Sequence, residues 1–170
     1  MALLHSSMVP LGSPAHDFHL KGIDGEMHSL VDYAEAKVLV LVFMCNHCPY
    51  VQAIWDDLVA LEKRMPNEVR FLGINANANP DYPEDSFEKM KEYAKAKWQE
   101  FPYLYDENQE VAKAYDARCT PDIFVYDEAR KLAYRGAFAG LEAAIEALLK
   151  GKRPVENQEY SMGCSVKWAE

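Results

Sequence analysis

The feature that most constrains how this chain can fold is a junction. Val38-Leu39-Val40-Leu41-Val42-Phe43 is an unbroken apolar run, and Met44-Cys45-Asn46-His47-Cys48-Pro49 comes directly after it. A β-branched and aliphatic run of strand length fits a central strand covered on both faces. Beyond it, Val51, Ile54, Leu58, Leu61 and Met65 recur at spacings of three and four, with Asp56, Asp57, Glu62, Lys63 and Arg64 between them. That is one apolar stripe of a helix with charges on its other faces. Pro49 stands just inside the helix, where its missing N–H costs little. Two cysteines therefore sit between a buried strand and a helix.

The flanking segments repeat this alternation. Phe18-His19-Leu20 and Met27-His28-Ser29-Leu30 surround Asp24-Gly25, a strong hairpin turn. Val69–Asn75 reads as a strand, Ala76–Asp85 as a loop rich in Asn and Pro, and Ser86 as the cap of a helix striped by Phe87, Met90, Ala94 and Trp98. Tyr103–Tyr105 predicts a short strand, Glu107–Tyr115 a short helix, and Asp122–Asp127 with Lys131–Arg135 a hairpin. A last helix carries Leu141, Ile145 and Leu148 and stops before Gly151, its C-terminal glycine. Residues 1–16 read as a lead-in, and the tail 152–170 as docking back through Met162–Trp168. This order predicts one α/β domain over 1–170, a mixed central sheet with helices on both faces.

Composition narrows the function. The chain has 170 residues, 49% hydrophobic and 26% charged, with a net charge of −9 and no basic patch. Nucleic acid and anionic membrane surfaces are thus not expected as partners. No apolar run approaches the roughly 18 residues of a membrane span. The first eighteen residues show no basic segment leading into an apolar one, so a cytoplasmic location is expected.

Four cysteines, Cys45, Cys48, Cys119 and Cys164, are too few for a disulfide scaffold in a chain this long. The Cys45–Cys48 pair puts its first sulfur at a helix N-terminus, where free N–H groups and the dipole favour the thiolate. His47 can add positive charge or a hydrogen bond. Cys45 is therefore expected to be the accessible thiol with a lowered pKa. Half a zinc site and two inert core thiols are the other readings; a structural zinc site wants four ligands, and no second Cys or His pair of suitable spacing exists. No metal or cofactor is expected.

The strand-CNHCPYV-helix segment, the preceding hairpin with Tyr33, and Cys119-Thr120-Pro121-Asp122-Ile123-Phe124 resemble the thioredoxin-like superfamily. The similarity is to its redoxin branch, related to alkyl hydroperoxide reductase and thiol-specific antioxidant proteins. It spans about residues 13–150. The resemblance implies a thioredoxin-like sandwich, a cis Thr120–Pro121 peptide facing the pair, and Thr120 meeting the substrate backbone. It also implies a thiol–disulfide oxidoreductase, with Cys45 attacking and Cys48 resolving. A protein or small-molecule disulfide would be its substrate, and a separate, unidentified electron donor its partner.

The departures are specific. Met44 stands where thioredoxins carry Trp, and Leu39 where they carry a buried acid, which leaves the proton acceptor unassigned. Aligning a peroxidatic cysteine to Cys48 puts Leu41 and Cys45 where peroxiredoxins have Pro and Thr. Arg118 or Arg135 could supply such a site's guanidinium, but each reads better as an exposed charge. A peroxiredoxin-like peroxidase using Cys48 is the alternative function, and a binding module with vestigial cysteines a third. Cys119 and Cys164 are candidate accessory thiols, Cys164 as a resolving or second redox thiol; a buried apolar role is the simpler reading of each.

Overall fold

The computed structural model describes residues 3–5, 9–155 and 158–169. The remaining residues of the expected lead-in and tail lie outside the described residues. Val38–Phe43 forms strand β4, every residue buried, at the centre of a seven-stranded sheet. Naming strands in chain order, β1 is Leu3–His5, β2 His19–Gly22, β3 Met27–Ser29, β5 Val69–Asn75 and β6 Tyr103–Tyr105. Then come β7 Cys119–Thr120, β8 Asp122–Tyr126, β9 Leu132–Gly136 and β10 Met162–Ser165. The large sheet runs β3-β2-β6-β5-β4-β8-β9 and is mixed: β4–β5 and β5–β6 are parallel, β4–β8 and β8–β9 antiparallel. A three-stranded sheet, β1-β10-β7, lies apart from it.

Four helices, α1 Pro49–Arg64, α2 Phe87–Ala96, α3 Glu110–Ala114 and α4 Leu141–Leu149, connect these strands. The side chains of β4 divide by parity. Val38, Val40 and Val42 pack with Trp55 and Leu58 of α1, Met90 of α2 and Ile145 of α4. Leu39, Leu41 and Phe43 face Val111 and Ala112 of α3 in the second core. Two covered faces explain why β4 has no polar alternation. Burying each such aliphatic side chain contributes roughly 1.5–3 kcal/mol, so this strand anchors both layers.

Several ends obey local chemistry. The Ser86 side chain accepts the Lys89 N–H at the start of α2. Helix α4 closes with Gly151 at φ +74°, Lys152 N–H bonding Ala147 O and Gly151 N–H bonding Leu148 O, the paired bonds of a glycine-terminated helix. Gly25, at φ +84°, turns the β2–β3 hairpin.

Other expectations shift. Helix α2 ends at Ala96; Trp98 takes a left-handed conformation (φ 57°) and is exposed, so it leaves the apolar stripe its spacing suggested. Helix α3 begins three residues later than expected, after a left-handed Gln109. The lead-in holds a strand, β1, whose Leu3 stands opposite Cys164. Arg135 is the clearest correction: it is fully buried and bonds Asp122 at 2.7 and 3.3 Å while lying over the Phe124 ring. Arg118, by contrast, is exposed.

Removing one partner of a buried ion pair strands the other charge in a low dielectric. Asp122→Ala is therefore expected to cost about 3–5 kcal/mol of unfolding free energy. Urea denaturation checks this; a loss under about 1 kcal/mol would mean that Arg135 finds equivalent partners without the carboxylate.

Candidate active site

The parallel strands β4 and β5 end side by side, so the loops that leave them meet, as at the carboxyl edge of other α/β sheets. From β4 emerges Met44–Cys48; from β5 emerges the Asn-rich loop ending in Asp85. Asp85 is fully buried and grips the cysteine loop by its backbone. Its Oδ1 accepts the Asn46 N–H at 2.8 Å and the His47 N–H at 3.1 Å, and its Oδ2 accepts Asn77 Nδ2 at 3.0 Å. Asn46 returns the contact, donating to Glu84 O at 2.9 Å, while Tyr103 Oη donates to Asn46 Oδ1 at 2.9 Å. Loop and clamp are thus locked together.

His47 lies against Asp85. Its Nδ1 lies 2.5 Å from Asp85 Oδ2, without good hydrogen-bond direction, and its ring stacks on Tyr82. Cys45 Sγ, a His47 ring nitrogen and an Asp85 oxygen lie within 4.8 Å of one another. The set has one thiol, one imidazole and one carboxylate, and that carboxylate already accepts three hydrogen bonds.

The two thiols stand differently toward helix α1. Helix α1 begins at Pro49, so Cys48, not Cys45, is its N-cap residue. The proline ring explains the boundary, because it holds the preceding residue extended and the helix cannot start earlier. Cys45 and Cys48 are both fully buried, so the accessibility expected of Cys45 is not found; the pKa of the Cys45 thiol is raised, chiefly because it donates to Cys48, then by burial and by the Asp85 charge. Cys48 is lowered, first by the hydrogen bond from Cys45, then by those from Cys164, Thr120 and the Val51 N–H. As a thiol Cys48 can give its proton to Thr120 O at 3.5 Å; as a thiolate it has four donors around it. The sulfur that best carries charge is Cys48.

The Thr120–Pro121 peptide is cis and lies against the pair, with Thr120 Oγ1 3.6 Å from Cys45 Sγ. The Thr120 edge, expected to meet a substrate strand, is already taken. Strand β10 pairs with β7 in antiparallel register, Cys164 opposite Thr120 and Ser165 opposite Cys119. Cys164 Sγ thereby comes to 2.8 Å from Cys48 Sγ. Cys119 is buried 4.0 Å from Pro121 O, and burial pushes its thiol up to about 12. Sequence reasoning missed Asp85, Asn77 and Tyr103. A signal for the first two existed, since a loop leaving the neighbouring parallel strand must border the cysteine loop.

The profile of the AhpC/TSA family matches residues 11–135. The chain belongs to the AhpC/TSA family. Two solved structures match over nearly its whole length. An uncharacterized conserved protein from Geobacillus kaustophilus is 43% identical, covering 99% of this chain and 97% of its own, with a TM-score of 0.96. A hypothetical protein from Sinorhizobium meliloti is 36% identical, covering 97% and 98%, with a TM-score of 0.95. The thioredoxin domain of a thiol-disulfide oxidoreductase from Bacteroides vulgatus shares the fold at 15% identity, covering 82% and 97%, with a TM-score of 0.70. No curated protein matches the chain. Membership of the AhpC/TSA family and the thioredoxin-like fold support redox chemistry at thiols, and so an oxidoreductase. No helix among the described residues is long and apolar enough to cross a membrane.

A depressed Cys48 thiol makes a pH prediction. Thiolate reactivity rises with pH only through the thiol's pKa, so one cysteine is expected to alkylate at a rate already level near neutrality. Cys48→Ser removes that fast phase. Cys45→Ser keeps it but moves its midpoint upward, because the largest donor is gone. A fast acid-side phase surviving Cys48→Ser would return the charge to Cys45.

Proposed function

We propose that the chain is a thiol–disulfide oxidoreductase that cycles Cys45 and Cys48 between dithiol and disulfide. The placement of the Cys45–Cys48 pair at the start of α1, against the cis Thr120–Pro121 loop, supports this reading. The Cys48 thiolate attacks a disulfide R–S–S–R′, forming a Cys48–S–S–R bond and releasing R′S⁻. Cys45, which keeps the shared proton in the reduced pair, loses it to the released thiolate. Its sulfur attacks Cys48 Sγ, and RS⁻ leaves. The internal disulfide is reset by a separate electron donor, as in a reducing cytoplasm. This reverses the attacking and resolving roles expected from the resemblance and retains the pair. Asp85 holds the loop backbone in place beside both sulfurs, and it stands nearest to the role of the missing buried acid.

A second reading has one observation in its favour. Cys48 is the position a peroxidatic cysteine would take, and its charge is stabilised as peroxide attack requires. Against it, Leu41 and Cys45 replace the Pro and Thr of the peroxidase pattern, and the Arg135 guanidinium is bound to Asp122.

Reduction of insulin disulfides in the presence of dithiothreitol tests the first reading. The wild type is expected to turn over, and Cys48→Ser to fall to the uncatalysed rate with the Cys45→Ser, Cys48→Ser double variant no lower, because every step passes through the Cys48 sulfur. Insulin left unreduced by the wild type, together with rapid stoichiometric sulfenic acid at Cys48 that persists in Cys45→Ser, would establish the peroxidase instead.

A further inference from the structure

We infer that Cys164 is a third redox-active thiol, a second disulfide partner for Cys48 that competes with Cys45. The inference rests on the Cys45–Cys48 dithiol reading and goes beyond it, since it takes the oxidised state out of the Cys-x-x-Cys pair.

The placement is built rather than incidental. Cys164 Sγ lies 2.8 Å from Cys48 Sγ, against about 2.05 Å for a covalent S–S bond. Two buried side chains hold the segment after β10: Asn77 Oδ1 accepts the Lys167 N–H at 3.0 Å, and Gln109 Nε2 donates to Lys167 O at 2.8 Å. Gln109 Oε1 also accepts the Ala169 N–H at 2.8 Å. At Gly163 an added Cβ would lie 1.9 Å from Thr120 O, so β10 approaches the cis-proline loop as closely as only glycine permits. The consequence is a sulfur pressed against Cys48 Sγ. Cys164 itself is held protonated, up to about 11, by burial and by the hydrogen bond it donates to Cys48. Asn77 also bonds Asp85, so one side chain ties the tail to the loop that clamps the cysteines.

The chemistry balances without a further oxidant. After Cys48 has attacked R–S–S–R′, the mixed disulfide Cys48–S–S–R can be resolved from either side. In the second route the Cys164 thiol gives its proton to the departing R′S⁻. Its sulfur then bonds Cys48 Sγ as the S–SR bond breaks, and RS⁻ leaves. The substrate disulfide gains two electrons, Cys48 and Cys164 lose one each, and Cys45 stays a thiol. Thiolate attack of Cys45 on Cys48 Sγ then exchanges the two internal disulfides with no net oxidation.

Full-length protein oxidised with glutathione disulfide, quenched in acid and mapped for cross-linked peptides, provides the test. Wild type is expected to yield both Cys45–Cys48 and Cys48–Cys164 links. Cys45→Ser is expected to form Cys48–Cys164 and to release its glutathione, whereas Cys45→Ser with Cys164→Ala accumulates one glutathione on Cys48. Wild type showing only Cys45–Cys48, with Cys45→Ser retaining as much glutathione as the double variant, overturns the role of Cys164 and leaves the dithiol reading intact. Wild type forming neither internal link overturns that underlying reading, and the inference with it.

Discussion

The buried carboxylate of Asp85 is the contact on which the arrangement of the site depends. An ionised group taken out of water is costly unless it is fully hydrogen-bonded. Here the donors are the backbone N–H groups of Asn46 and His47 and the amide of Asn77. Satisfying Asp85 therefore means fixing the two residues between the cysteines. The interaction also joins β4 and β5 through the loops at their carboxyl ends, so the geometry of the thiols is coupled to the packing of the sheet. His47, placed between the cysteines, is drawn to this carboxylate while its ring stays close to Cys45 Sγ.

The elements that were legible in sequence are those whose signals are local. The apolar run of β4, the Asp24-Gly25 turn, the Ser86 cap and the Gly151 terminator each state their conformation within a few residues, and each forms as expected. The mixed sheet results from their order. The errors come from contacts distant in sequence. Trp98 has helical spacing, but the stripe says nothing of where the chain turns back. Arg135 reads as a surface charge until β9 is paired with β8, which buries it against Asp122. At the site, the cysteines, the cis-proline loop and the docked tail were all legible. That Cys48, and not Cys45, is the helix N-cap residue was not, although Pro49 already stated where the helix begins.

The tail changes what kind of site this is. In the resemblance, the edge before the cis proline is open for a substrate strand. In this chain that edge is paired with β10, which is itself paired with β1 on its other side. The site is therefore completed by β10. Buried polar side chains such as Gln109 and Asn77 would cost free energy if the tail were absent, because their hydrogen bonds to Lys167 and Ala169 would be lost. Their burial means that the fold is arranged around a docked tail.

The position of charge among the sulfurs sets the direction of the chemistry. A thiolate at the first turn of α1 gains from the free Val51 N–H and the helix dipole, and the Cys45 and Cys164 thiols donate to it from their own sites. Stabilising the reduced form in this way makes any disulfide at Cys48 easier to reduce, and so easier for a separate electron donor to reset. Oxidation removes the charge and consumes one of those donors. The other thiol then has neither a charge to donate to nor a reason to hold its proton there, and its sulfur is left beside a disulfide that it can attack. In the chemistry proposed above, crowding one thiolate with two thiols stabilises the reduced site and leaves the oxidised site open to exchange, and both properties arise from the same three atoms.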